Sequence, residues 1–137
     1  MRSKFVVRFA VLSLVVSSVA CSFENTKVSL TNLRMAHDSD GKTLTTTYST
    51  TDVFYAVADL ANAPQGTTIE AKWTAVNAAD TESNIEFEIQ TMDITEEGFT
   101  GTIYFQLSPE NTWPTGQYKV DLYLNGTLAQ TAEFSVQ

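Results

Sequence analysis

The stretch from Trp113 to Val136 limits the possible folds more than any other. Tyr118, Val120, Leu122 and Leu124 alternate with Lys119, Asp121 and Tyr123, and the pair Asn125-Gly126 then interrupts the pattern. Leu128, Ala132, Phe134 and Val136 resume on the same phase. Alternation of period two puts one side of each strand on a core, and Asn-Gly readily takes the two positive φ angles of a type I′ turn. The pattern predicts a β-hairpin. Two strands cannot hide an apolar face by themselves, so the rest of the chain must cover it.

The preceding segments repeat the theme. Val28 and Leu30 alternate with polar residues until the phase slips to Leu33 and Met35, which predicts a first, edge strand with a bulge at Asn32. Lys42 to Thr51 is rich in threonine and reads as a loop with some extended structure. Val53 to Leu60 is almost wholly apolar, as expected of a strand with little exposed face. The turn-like run from Ala61 to Gly66 leads into Ile69, Ala71, Trp73 and Ala75, which alternate with polar residues. These two segments are expected to be neighbouring strands, with Trp73 pointing inward. Ile85, Phe87 and Ile89 alternate with Glu86, Glu88 and Gln90, and Ile103, Phe105 and Leu107 with Thr102, Tyr104 and Gln106. About seven short strands joined by Gly, Pro, Asn and Asp turns predict an all-β, two-sheet antiparallel sandwich.

Two positions narrow that class. Trp73 on the third strand and Tyr118, two residues before Val120 on the sixth, resemble the core tryptophan and the corner tyrosine of the immunoglobulin-like fold. The resemblance implies an immunoglobulin-like β-sandwich over residues 27–137. It also implies that the Tyr118 hydroxyl bonds backbone just ahead of its strand. Where antibody domains carry a cysteine pair this chain has apolar residues, with Ala56 or Ala58 set against Val120.

The first residues carry an address. Arg2, Lys4 and Arg8 precede an apolar run from Phe9 to Val19, and Ser18-Val19-Ala20 supplies the small residues a signal peptidase needs. The run is short for a bilayer span, so residues 1–20 are expected to be a cleaved export signal. Cys21, the sole cysteine, follows directly. Ser18-Val19-Ala20-Cys21 resembles the lipobox of bacterial lipoproteins, although Ser18 stands where leucine is usual. The resemblance implies that Cys21 takes a diacylglycerol and becomes the new N-terminus, with residues 21–26 a short tether. The alternative is an ordinary cleavage that leaves a free thiol on a soluble secreted protein. A lone cysteine has no partner for an internal disulfide.

Charge and motif content bound the function. Without the three basic residues of the signal, five basic residues face sixteen acidic ones, a net charge near −11. Such a surface repels phosphate backbones, which excludes nucleic acid as a natural partner. With one histidine, one cysteine and no Gly-x-Ser-x-Gly or phosphate-loop motif, nucleophilic triads, metal clusters and cofactor cradles lack their parts. No cofactor is expected. Asp38 and Asp40 offer two oxygens to a calcium ion, but no further carboxylate follows to complete an EF-hand loop. Glu86 and Glu88 share a strand and are expected on one outward face, where adjacent like charges mark a solvated edge. A pair of carboxylates across a cleft is all a glycosidase needs, so an acid-dependent glycan-active enzyme is the competing class. Asn125-Gly126-Thr127 matches a glycosylation sequon, yet the hairpin accounts for Asn125 and Gly126 without it. The expectation is a lipid-anchored, non-catalytic module of the bacterial envelope that binds a protein or a glycan, or serves as a structural accessory. Trp113, in a Pro-flanked loop, and Tyr104 and Tyr123, on outward phases, are the candidate partner-binding aromatics. Trp113 has a competing role as a cap on the end of the sandwich.

Overall fold

Asn125 and Gly126 adopt φ angles of 49° and 84°, the left-handed pair of a type I′ turn, and join the two strands of the C-terminal hairpin. The computed structural model describes residues 27–137. The segments expected to be an export signal (residues 1–20) and a tether (residues 21–26, with Cys21) lie outside the described residues. The strands in chain order are β1 (Ser29–Ala36), β2 (Thr47–Tyr48), β3 (Phe54–Ala63), β4 (Thr68–Ala78), β5 (Ile85–Asp93), β6 (Phe99–Leu107), β7 (Gly116–Leu124) and β8 (Thr127–Val136). They form a three-stranded sheet, β1-β3-β6, and a five-stranded sheet, β2-β8-β7-β4-β5. All pairings are antiparallel except that of β2 with β8. Two sheets whose sequence neighbours β3 and β4 part company, with β4 and β7 adjacent in the second, form an immunoglobulin-like sandwich.

Alternation puts the core where it was expected. Phe54, Ala56, Ala58 and Leu60 of β3 and Ile69, Ala71 and Trp73 of β4 are buried, as are Val120 and Leu122 of β7. Phe54 is the hub. Its ring lies 4.7 Å from Phe134, 4.9 Å from Tyr48, 5.8 Å from Tyr118 and 6.1 Å from Trp73. Aromatic clusters of this kind bury large area in few residues and add edge-to-face and offset-stacked attraction. The predicted bulge in β1 is present: register shifts between Thr31 and Arg34, with Asn32 at a φ of 54°.

Four expectations need correction. β3 and β4 are not neighbours in a sheet. The Pro64-Gln65-Gly66 turn carries the chain from one sheet to the other, and alternation specifies which side of a strand is buried but not which strand lies beside it. Ala61 to Ala63 belongs to β3 rather than to that turn, because a bulge at Asn62, whose φ is 55°, lets pairing with β6 continue to Ala63. The described residues form eight strands, one more than the seven read from the alternation. The additional one, β2, is two residues of the threonine-rich segment laid parallel to the end of β8. Leu128 is 53% exposed, not buried. A register shift opposite Leu122 and Tyr123 inserts one residue, Ala129, and turns Leu128 to the outer face beside Tyr123.

Candidate functional site

The two sheets differ in width, and that difference leaves one flank open. β5 ends the wider sheet, and the edge strand facing it across the sandwich is β6. Register sets its side chains. Gln90 pairs with buried Ala71 and Ile89 with Lys72, while Phe87 is an extra residue between the pairs Trp73–Glu88 and Thr74–Glu86. Cross-strand partners share a face, and a bulge moves every later side chain to the opposite one. Ile85 and Phe87 therefore face inward and Ile89 outward, and Glu86 and Glu88 do not share a face. The single apolar stripe expected of this strand is split by the bulge.

Gln90 occupies the inward position that the plain alternation denied it. Its Oε1 accepts the Trp73 indole N–H at 2.9 Å, and its Nε2 donates to the Gln106 carbonyl oxygen of β6 at 2.8 Å. One side chain thus satisfies the buried tryptophan and ties the two sheet edges together.

Beyond Gln90 the flank opens into a cleft of about 230 Å³ lined by Ala75, Ile85, Phe87, Trp113, Pro114 and Tyr118. Trp113 forms its floor. The indole stacks on Phe54 with ring centres 4.3 Å apart and planes 14° apart, and its N–H donates to the Asp52 carbonyl oxygen at 2.7 Å. The Tyr118 hydroxyl donates to the Pro114 carbonyl oxygen at 2.5 Å, which fixes the loop that carries Trp113. Phe87, 37% exposed, sets its ring 6.1 Å from Trp113 and 6.0 Å from Tyr118. The walls are apolar side chains held by core residues rather than by mobile tips.

The three candidate aromatics are not brought together. Tyr104 lies on β6 and Tyr123 on β7, in different sheets, and Trp113 packs against the core cluster from the loop before β7. Tyr123 is covered from one side by Lys72, whose ammonium sits 4.7 Å from the ring centre. Trp113 alone of the three belongs to the cleft. Trp73 is fully buried. The Asn125 side-chain oxygen accepts the Thr68 N–H at 2.9 Å, so this residue fastens the hairpin turn to the start of β4.

Several aspartates are engaged in local structure. The two oxygens of Asp38 accept the N–H groups of Lys42 and Thr43, and Asp40 pairs with Lys42 at 3.2 Å. Partial desolvation acts to raise the Asp38 pKa, but hydrogen bonds from Thr43 and Lys42 outweigh it and hold the group below its ordinary value. Asp59 is likewise lowered, first by the Asn32 amide and then by Arg34, which together clamp the β1 bulge onto β3. Among the described residues, no three His, Cys, Asp or Glu side chains converge as metal ligands. No helix among them is long and apolar enough to cross a membrane.

Tyr48 is the core residue that sequence reading missed. It is buried, donates its hydroxyl to the Ala36 carbonyl oxygen at 2.7 Å, and meets His37 edge-on at 5.3 Å. Burial pushes its pKa up to about 12. A tyrosine whose folded pKa exceeds its unfolded value near 10 keeps its full contribution below pH ~10, and loses it as pH rises through the folded value. We expect unfolding by urea to become easier by roughly 2 to 3 kcal/mol between pH 9 and 12. The Tyr48→Phe variant, lacking the titrating hydroxyl, should show a shallower alkaline decline. An equal decline in both proteins would assign it to other groups.

The class defined by fold and flank is an immunoglobulin-like β-sandwich with one apolar cleft beside an edge strand. No protein-family model matches the chain, and no curated protein matches it. Solved structures do resemble it. One is the alkylpurine DNA glycosylase AlkC of Pseudomonas fluorescens bound to DNA containing an abasic site analog, at 12% identity and a TM-score of 0.52 over 82% of this chain and 31% of that one. Another is a β-glucosidase from Listeria innocua in complex with isofagomine, at 11% identity and a TM-score of 0.51 over 80% of this chain and 16% of that one. The chain spans less than a third of either protein, and at such identities the likeness is one of fold.

Proposed function

We propose that this chain is a non-catalytic module of the bacterial envelope, held to a membrane through lipid on Cys21, that binds a partner or serves as a structural accessory. The observation that carries the reading is the single cysteine placed directly after a cleavable apolar run, in Ser18-Val19-Ala20-Cys21. One acyl chain binds membranes only marginally, whereas the several chains of a bacterial lipoprotein hold a small domain permanently. The arrangement of the carboxylates also supports it. Asp38 and Asp52 accept hydrogen bonds from their own loops and Asp59 accepts them from the adjacent strand β1, and Glu86 and Glu88 lie on opposite faces of an edge strand rather than across a cleft from each other. A glycosidase pair requires two acids flanking one bond.

Replacing Cys21→Ser tests the anchor. The variant should move from the membrane fraction to the soluble exported fraction, while wild type sediments with membranes until detergent is added. Wild-type protein that is soluble without detergent would overturn the anchoring.

A further inference from the structure

We propose that β5 receives, by strand addition, an extended basic polypeptide segment of a partner protein, which places an apolar side chain in the Phe87–Trp113 cleft and lysines or arginines against the glutamates of the strand. This deepens the binding reading given above and rests on it, but it is independent of the lipid anchor.

Three observations converge on the same flank. First, β5 terminates the five-stranded sheet, so among the described residues no strand uses the backbone groups on its outer side. An edge of this kind is where extended peptides add, with backbone hydrogen bonds supplying affinity and alternate side chains supplying specificity. Second, the inner face of β5 overhangs the narrower sheet. Ile85 and Phe87 are 38% and 37% exposed and wall an apolar cleft whose floor, Trp113, is stacked on the core. A rigid apolar recess beside an open edge can take one side chain of an added strand.

Third, charge selects the occupant. From Thr74 to Tyr118 the chain carries eight acidic residues and no lysine, arginine or histidine. Glu82, Glu86, Glu88 and Asp93 lie on or beside β5, and Glu96 and Glu97 on the turn into β6. A second copy of the chain fits this edge poorly. Self-pairing of β5 would bring together two edges that both carry glutamates and no basic residue, and like charges across a pair of strands destabilise a sheet. The same glutamates that block self-association attract a cationic strand, and complementary charge raises the encounter rate and rejects acidic partners. The bulge at Phe87 fits this role, since it turns the ring into the cleft while Glu86 stays on the outer face.

The test uses the full-length wild-type chain in a non-ionic detergent, with a fluorescein-labelled peptide Lys-Val-Lys-Phe-Lys-Val-Lys as the probe. Fluorescence anisotropy should show saturable binding that weakens with added salt. The peptide Glu-Val-Glu-Phe-Glu-Val-Glu should not bind, and a Lys-Lys-Val-Phe-Val-Lys-Lys peptide of the same composition should bind about tenfold more weakly. Hydrogen exchange should slow at the amides of β5 and not at β1, the edge of the other sheet. The double variant Glu86→Lys with Glu88→Lys, both at exposed positions, should weaken binding about tenfold or more at an unchanged melting temperature. Equal binding of the two lysine peptides, or binding without protection of β5, would reduce the flank to diffuse electrostatics and overturn the proposal. Self-association with β5 protected in the absence of peptide would also overturn it, in favour of a second copy as the occupant. Loss of membrane attachment in the Cys21→Ser variant leaves all of these outcomes unchanged, so failure of the anchor and failure of this docking site are separately visible.

Discussion

Trp73→Ala will lower the free energy of unfolding by about 3 to 5 kcal/mol, measured as a fall in the urea midpoint at constant slope. The indole is fully buried on β4, stacked 6.1 Å from Phe54 and edge-on to Phe134 at 6.0 Å, and its neighbour across the ladder is Val120. Truncation removes the transfer energy of the largest buried side chain and leaves a cavity that two hydrogen-bonded sheets cannot close. It also frees Gln90, which holds β5 to β6 through the Gln106 carbonyl. The amide of Gln90 can find water at the flank, so most of the loss comes from the cavity. Hydrogen exchange in β5 should nevertheless rise more than in β7. An unchanged midpoint would mean that the core is not organised around this residue.

Gly116→Ala should be comparably damaging for a different reason. Gly116 begins β7 with a φ of 144°, a conformation that side-chain-bearing residues rarely adopt. A Cβ there would stand 2.6 Å from the Ala78 Cα and press on the Asn77 carbonyl oxygen, both backbone atoms of the paired strand β4. Neither can move without parting the ladder. We expect a cost of roughly 3 kcal/mol or more, from strain together with lost pairing. Gly126→Ala is the matched control. Its φ of 84° carries the same kind of penalty, but nothing lies within 4 Å of the added atom, so about 1 kcal/mol is expected. Equal losses in the two variants would remove the argument from close approach.

Period-two patterning revealed the sandwich because burial is a local property of each strand. Trp73, Val120 and Phe134 point inward for the same reason that Lys72, Lys119 and Glu133 point outward, and this needs no knowledge of neighbours. Lateral order is not local. Nothing in Val53 to Leu60 or in Thr68 to Ala78 says that these strands belong to different sheets. Bulges were legible where apolar residues marked the slip, as at Asn32 between Leu30 and Leu33, and illegible where they did not. At Phe87 the run Ile-Glu-Phe-Glu-Ile keeps perfect alternation through an inserted residue, so Ile89 read as core and Gln90 as solvent. Tyr48 was hidden because its strand is two residues long among threonines. The cleft was hidden because it joins residues from separate segments of the chain, and of them only Trp113 was singled out as a candidate for binding a partner.

Mass spectrometry of the mature N-terminal peptide decides whether this sandwich is attached to a membrane through lipid on its first mature residue, as proposed. Wild-type protein purified from membranes should begin at Cys21 and carry a mass increment of diacylglycerol on its sulfur. A mature protein that begins at Cys21 with an unmodified thiol, or one that retains residues 1–20, would contradict it.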